Sequence, residues 1–143
     1  MKTSIIRFAL LACILFTTSI SYAQNTVVGK WLSESKKGIT EIYIVNGKYY
    51  GKLVWLKEPT DASGKAKLDE NNKDKTLRSA PILGLVILKD FILKDGEWTD
   101  GTIYDPENGK TYKCTMWLKD ANTIKVRGYW GPFYRTQIWT RSK

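Results

Sequence analysis

The chain has 143 residues, of which 43% are hydrophobic, 26% charged and 13% aromatic, a composition that fits one globular domain and is too apolar for a disordered chain. Lys and Arg outnumber Asp and Glu by 23 to 14, and there is no histidine. A Ser-His-Asp triad, a Cys-His dyad and a His-ligated zinc or haem site are therefore excluded.

The first residues read as a secretory signal. Lys2 and Arg7 form a basic n-region, Phe8 to Phe16 is an apolar run, and Ser21-Tyr22-Ala23 supplies small residues for cleavage before Gln24. Two alternatives are weaker. A membrane anchor needs roughly 18 to 20 apolar residues, and the uncharged stretch from Phe8 to Ala23 is about 16. Lipidation at Cys13, after Leu10-Leu11-Ala12, would leave too short an apolar segment behind Arg7. Removing residues 1 to 23 takes Lys2, Arg7 and Cys13 with it. That leaves 120 residues with 21 basic and 14 acidic side chains, a net +7, and Cys114 as the single thiol. Such a chain cannot form an internal disulfide and must be held by its core, in a compartment where bridges are permitted. Its basic excess suits anionic partners, envelope lipid or polysaccharide among them, and equally suits plain solubility.

Eight short runs of β-branched and aromatic residues follow: Val27 to Ser33, Ile39 to Asn46, Lys48 to Leu56, Ile82 to Lys89, Glu97 to Asp105, Lys110 to Lys119, Thr123 to Trp130 and Phe133 to Arg141. Turn formers separate most neighbours: Asn46-Gly47, Lys94-Asp95-Gly96, Asp105-Pro106-Glu107-Asn108-Gly109, Asp120-Ala121-Asn122 and Gly131-Pro132. The polar stretch Lys57 to Lys75 reads as a long loop, mobile or functional, placed to act as a lid over one barrel mouth. Lys73 to Ser79 has room for one helical turn before Pro81.

Eight meandering strands either close into a barrel or must protect two edges. Tyr112, Cys114, Met116 and Leu118 share one face, as do Ile124, Val126, Gly128 and Trp130. In the last run Phe133, Arg135, Gln137, Trp139 and Arg141 oppose Tyr134, Thr136, Ile138 and Thr140, so neither face is cleanly apolar. This mixing fits a barrel around a partly polar cavity better than a dry sandwich. The expected fold is all-β, an eight-stranded antiparallel up-and-down barrel over residues 24 to 143.

Gly29-Lys30-Trp31 resembles the Gly-x-Trp signature of lipocalins and their calycin relatives. A longer series is similar to the secreted bacterial proteins grouped as domain of unknown function family 2147: Gly51 to Pro59, Leu77-Arg78 with Pro81 to Gly84, Gly101 to Tyr112, Val126-Arg127-Gly128, Arg135-Thr136-Gln137 and Trp139-Thr140-Arg141. The match departs at Asn72-Lys73, where relatives often have Asn-Pro, and at Tyr129 and Tyr134, where some carry cysteines. The resemblance implies a lipocalin-like barrel and brings no established reaction or ligand. It further implies that Trp31 closes a floor, that Gly29 permits close approach, and that an Arg of the last strand, Arg141 or Arg135, covers the indole.

No reaction centre stands out. Asp105, Glu107 and Lys110 bracket a Pro-Gly turn, a simpler explanation than acid-base chemistry. The acidic stretch Asp69 to Asp74 lacks the glycine of a calcium loop and carries Lys73, so it reads as a solvated loop. Cys114 reads as a core thiol. Trp55 and Trp117 read as packed, whereas Trp130 with Phe133 and Tyr134 sits at a hairpin tip as a candidate exposed cluster. Neither cofactor nor metal is expected, nor is nucleic acid in an exported protein. The expected function is a non-enzymatic carrier or sensor of a small amphipathic or apolar ligand, with Arg135, Gln137, Trp139, Arg127 and Tyr112 as candidate ligand-binding residues. The alternative is an envelope module that binds polysaccharide or protein through its aromatic and basic surface. If Arg135 points inward, an anionic group would pair it; an internal acid such as Glu41 or Glu97 would do so equally.

Overall fold

The computed structural model describes residues 26–143; the expected signal segment, 1–23, lies outside them. Eight strands run in chain order: β1 Gly29–Leu32, β2 Gly38–Val45, β3 Lys48–Leu56, β4 Val86–Lys94, β5 Glu97–Asp105, β6 Lys110–Asp120, β7 Thr123–Trp130 and β8 Phe133–Ser142. Each pairs antiparallel with the next, and β8 pairs back onto β1 through Trp31 and Arg141, which closes the barrel. Closure satisfies both edge strands by pairing them.

Inward alternation builds the core. Trp31, Ile42, Leu88, Phe91, Met116 and Ile124 are fully buried, with Trp98, Cys114, Val126 and Trp139 beside them. Two interior glycines make room: a Cβ on Gly101 would strike the Phe91 ring, and one on Gly51 would come within 2.8 Å of Leu88. Asp90 and Asp100 hold left-handed backbone, φ 63° and 58°, which short polar side chains tolerate. Register shifts in the flanking ladders, between Tyr49 and Gly51 and between Trp98 and Gly101, accompany them. These bulges reset the two-residue period, so that Trp98 and Gly101 both face inward.

Two expectations about the strands need correction. The fourth strand is Val86–Lys94, not Ile82 to Lys89. Gly84, at φ 92°, turns the chain, and Ile82 N–H bonds to Lys67 inside the loop, while the bulge at Asp90 hides the strand's continuation from a period-two reading. Trp55, expected to pack, is 43% exposed. The register shift between Ile39 and Thr40 leaves Val54 as the extra residue of β3 and inverts the parity beyond Leu53.

The connection from Lys57 to Leu85 is longer than the polar stretch alone and is structured. Bridges pair Thr60 with Ala66 and Leu68 with Pro81. Asp61 accepts from Ser63 and Lys65, and a 3-10 turn at Lys75–Leu77 is capped by Asp74. Asp69, read as part of a solvated loop, is instead completely buried. Its carboxylate accepts the Tyr104 hydroxyl at 2.7 Å and the Asn72 amide at 2.7 Å, partners that meet the hydrogen-bonding need of a buried charge. Burial first, and then its bond to Asp69, push the Tyr104 phenol up to about 12. Asn71 donates to the carbonyls of Pro106 and Glu107, and the missing Cβ of Gly109 admits the Asn71 backbone. The Asp105 to Gly109 turn is thus the dock for the loop.

Candidate functional site: an open barrel mouth

Strand direction sorts the connections onto two ends. One end gathers the approach to β1 with the turns at Asn46-Gly47, Asp95-Gly96 and Ala121-Asn122. The other gathers the long loop, the Pro106 to Gly109 turn and the Gly131-Pro132 turn.

The first end is shut. Trp31 is buried, its indole N–H bonds to Val27 O at 2.7 Å, and the Arg141 guanidinium lies 4.2 Å from its ring centre. Arg141 also donates to the carbonyls of Ala121, Val28 and Thr26. A Cβ on Gly29, whose φ is 130°, would sit 2.8 Å from the Arg141 guanidinium. The three residues singled out for the floor form one contact group, and the cover is Arg141 rather than Arg135.

The second end holds a cavity of about 420 Å³ between β5, β6, β7 and β8. Ile103, Tyr112, Val126, Gly128 and Trp130 form its apolar wall; Asp105, Asn108, Lys110, Arg135 and Gln137 carry its polar groups. Its volume lies in the lower part of the roughly 300–1,000 Å³ found for small-molecule pockets. The long loop docks on the β5 side of this end and contributes no wall to the cavity. Three polar members have hydrogen-bond partners. Asn108 donates to the Tyr112 hydroxyl at 3.1 Å, and Gln137 accepts from the Trp139 indole at 2.9 Å, leaving the Gln137 amide N–H groups turned to other uses. Asp105 accepts from the Glu107 backbone N–H. Among the described residues no carboxylate pairs with Lys110 or Arg135.

The candidate ligand-binding residues therefore separate. Tyr112, Arg135 and Gln137 line the cavity; Trp139 lies beneath it in the core and orients Gln137. Arg127 faces outward, bonded to Thr136 at 2.7 Å and set between the rings of Trp117 at 4.8 Å and Tyr134 at 4.3 Å. Its neighbours Val126 and Gly128 take the inward parity. Arg135 is exposed at the rim rather than buried, so no internal acid is needed to neutralise it, and Glu41 pairs instead with Lys52. Asp105 and Lys110 flank the turn as expected, and Lys110 also lies two positions before Tyr112 on the same strand face, the signal that marks it as a wall residue. Cys114 is buried, and burial pushes its thiol up to about 12. Among the described residues no cluster of three or more metal-ligating side chains forms.

A family model for uncharacterized proteins conserved in bacteria, DUF2147, matches residues 29–141. The chain belongs to this family. A solved structure, protein HP1028 from the human pathogen Helicobacter pylori, described as belonging to the lipocalin family, superposes with a TM-score of 0.69 at 25% identity. The match covers 82% of this chain and 84% of that one. No curated protein matches. In this DUF2147 protein the barrel is lipocalin-like, with the Trp31–Arg141 group at the shut end and the cavity at the open one. Among the described residues no helix is long and apolar enough to cross a membrane.

Proposed function

We propose that this DUF2147 protein is exported through its N-terminal signal and serves, without catalysing a reaction, as a carrier or sensor of a small anionic amphiphile held in the barrel mouth. One observation carries the reading: an apolar wall of Ile103, Tyr112, Val126 and Trp130 ends at a rim with two cations, Lys110 and Arg135, and one carboxylate, Asp105. An apolar tail would cover the wall. A carboxylate or phosphate would take the Arg135 fork and the Gln137 amide, and charge-assisted bonds of that kind are the strong ones. The lipocalin-like barrel of the Helicobacter pylori neighbour supports a binding role over a catalytic one.

The test is a titration with octanoate followed by tryptophan fluorescence, since Trp130 stands in the wall. Saturable quenching or enhancement is expected, weakened about tenfold or more in Arg135→Ala, as follows from the 1.5–3 kcal/mol of a charged hydrogen bond. Binding that is equal for octanoate and octylamine would overturn the anion preference, and no saturable binding of any amphiphile would overturn the carrier reading.

A further inference from the structure

The charge of the chain is not spread evenly. Residues 110–143, which make up β6, β7 and β8, hold eight Lys and Arg side chains against one acid, Asp120, a local net charge of +7. Residues 24–143 as a whole carry that same net +7, so the rest of the barrel and the long loop are neutral overall. Alternation turns Lys113, Lys119, Lys125 and Arg127 outward. Register places Lys113 beside Tyr129, Tyr129 beside Tyr134, and Lys125 beside both Trp117 and Ile138. One outer face is therefore basic and interleaved with rings.

At its upper border that face ends in the β7–β8 turn. Trp130, Phe133 and Tyr134 are 47%, 63% and 59% exposed, and Gly131, at φ 55°, and Pro132 form the tip between them. Trp130 and Phe133 lie with ring centres 6.5 Å apart, and Trp130 meets Tyr112 in the cavity wall at 6.0 Å. An exposed cluster of this kind marks an interaction site. Aromatic rings at a protruding tip, backed by Lys and Arg, match the physics of the bilayer interface, where amphipathic rings settle at headgroup level and basic side chains answer anionic lipid.

We infer that the β6–β8 face docks on an anionic phospholipid surface, with the Trp130–Tyr134 tip inserted among the headgroups and the cavity mouth turned toward the lipid. Charge complementarity selects the surface, and the tip selects a bilayer over a soluble polyanion, which has no apolar layer to receive Phe133. Trp130 belongs to both tip and cavity wall, so docking brings the mouth to the place where amphiphiles reside. This inference rests on the outer face and stands apart from the cavity reading, which is titrated in solution without vesicles.

The experiment is sedimentation of the protein purified as cells process it, with vesicles of phosphatidylglycerol or of phosphatidylcholine. The expected result is binding to phosphatidylglycerol at least about tenfold tighter than to phosphatidylcholine, weakened by added salt. Brominated phosphatidylglycerol should quench the fluorescence, and Trp130→Phe should remove most of that quenching. Phe133→Ser, at a tip where the ring is 63% exposed, should leave thermal stability nearly unchanged and weaken vesicle binding about tenfold; comparing variant and wild type with the same N-terminus separates the tip from any contribution of that end. Lys113→Glu with Lys125→Glu should weaken it further. Equal binding to both vesicle types, no binding, or binding indifferent to Phe133→Ser each overturns the inference. Retention by dextran sulfate without vesicle binding also overturns it and assigns the face to a polysaccharide.

Discussion

The Arg141 guanidinium lies 4.2 Å above the Trp31 ring and reaches three carbonyls, those of Thr26, Val28 and Ala121. The last strand is thereby tied to the approach of the first across the seam of the barrel. Trp31→Ala removes a fully buried ring and should cost about 3–5 kcal/mol. Arg141→Met keeps the stem over the ring and loses only hydrogen bonds whose carbonyls water can partly reach, so it should cost less than Trp31→Ala. Urea midpoints decide. An unchanged midpoint in Trp31→Ala would remove the floor from the account.

Burial of the Tyr104 phenol, together with its bond to Asp69, gives stability a defined alkaline limit. The phenol is raised from 10.0 to about 12 in the folded protein, so the folded state favours its protonated form. That contribution is complete below pH 10 and is lost as the pH rises toward 12. Tyr104→Phe should therefore destabilise at neutral pH, by about 1–3 kcal/mol for the unpartnered Asp69 oxygen, and its difference from the wild type should shrink above pH 10. A constant difference from pH 7 to 12 would contradict the assignment.

Gly109 controls the dock of the long loop. A Cβ there collides with the Asn71 backbone, and its φ of 69° disfavours side chains. Gly109→Ala should free the segment around Asn71 and speed limited proteolysis between Lys65 and Arg78, while the barrel's far-ultraviolet dichroism persists. Unaltered proteolysis would show that the loop does not depend on this turn.

Much of this arrangement was legible because strand alternation and turn chemistry agree from Lys110 to Arg141. Tyr112, Cys114 and Met116 on one strand, and Val126 and Gly128 on the next, fall on the inner face as their spacing implies. The legibility failed at bulges. Asp90 shifts the period of β4, and the shift at Ile39 and Thr40 exposes Trp55; a one-residue insertion carries no compositional mark. The long loop was opaque for another reason. Asp69 looks like any solvated acid until Tyr104, 35 residues away, is placed beside it. Within the cavity, Arg135, Gln137 and Tyr112 followed from parity, and Arg127 did not, because its motif neighbours drew it to a face that its position denies.

Cys114 should be inert. Burial holds the thiol up near 12, and the nucleophile is the thiolate. Reaction with a thiol reagent at pH 8 should be slow in the folded protein and rapid in denaturant, counting one thiol if residues 1–23 have been cleaved and two if Cys13 remains. N-terminal sequencing of the envelope fraction gives the independent check, with Gln24 expected first.

The cavity itself is tested most directly at Gly128. A Cβ at this position meets only Ile103 and Tyr112 at ordinary contact, 3.7 Å, so Gly128→Leu should fold while its larger side chain occupies the space between those walls. Isothermal titration of wild type and Gly128→Leu with octanoate, the two matched in thermal stability, should give stoichiometric binding in the first and none in the second. Octanoate bound with equal affinity by both proteins would place the ligand outside the barrel mouth and contradict the account.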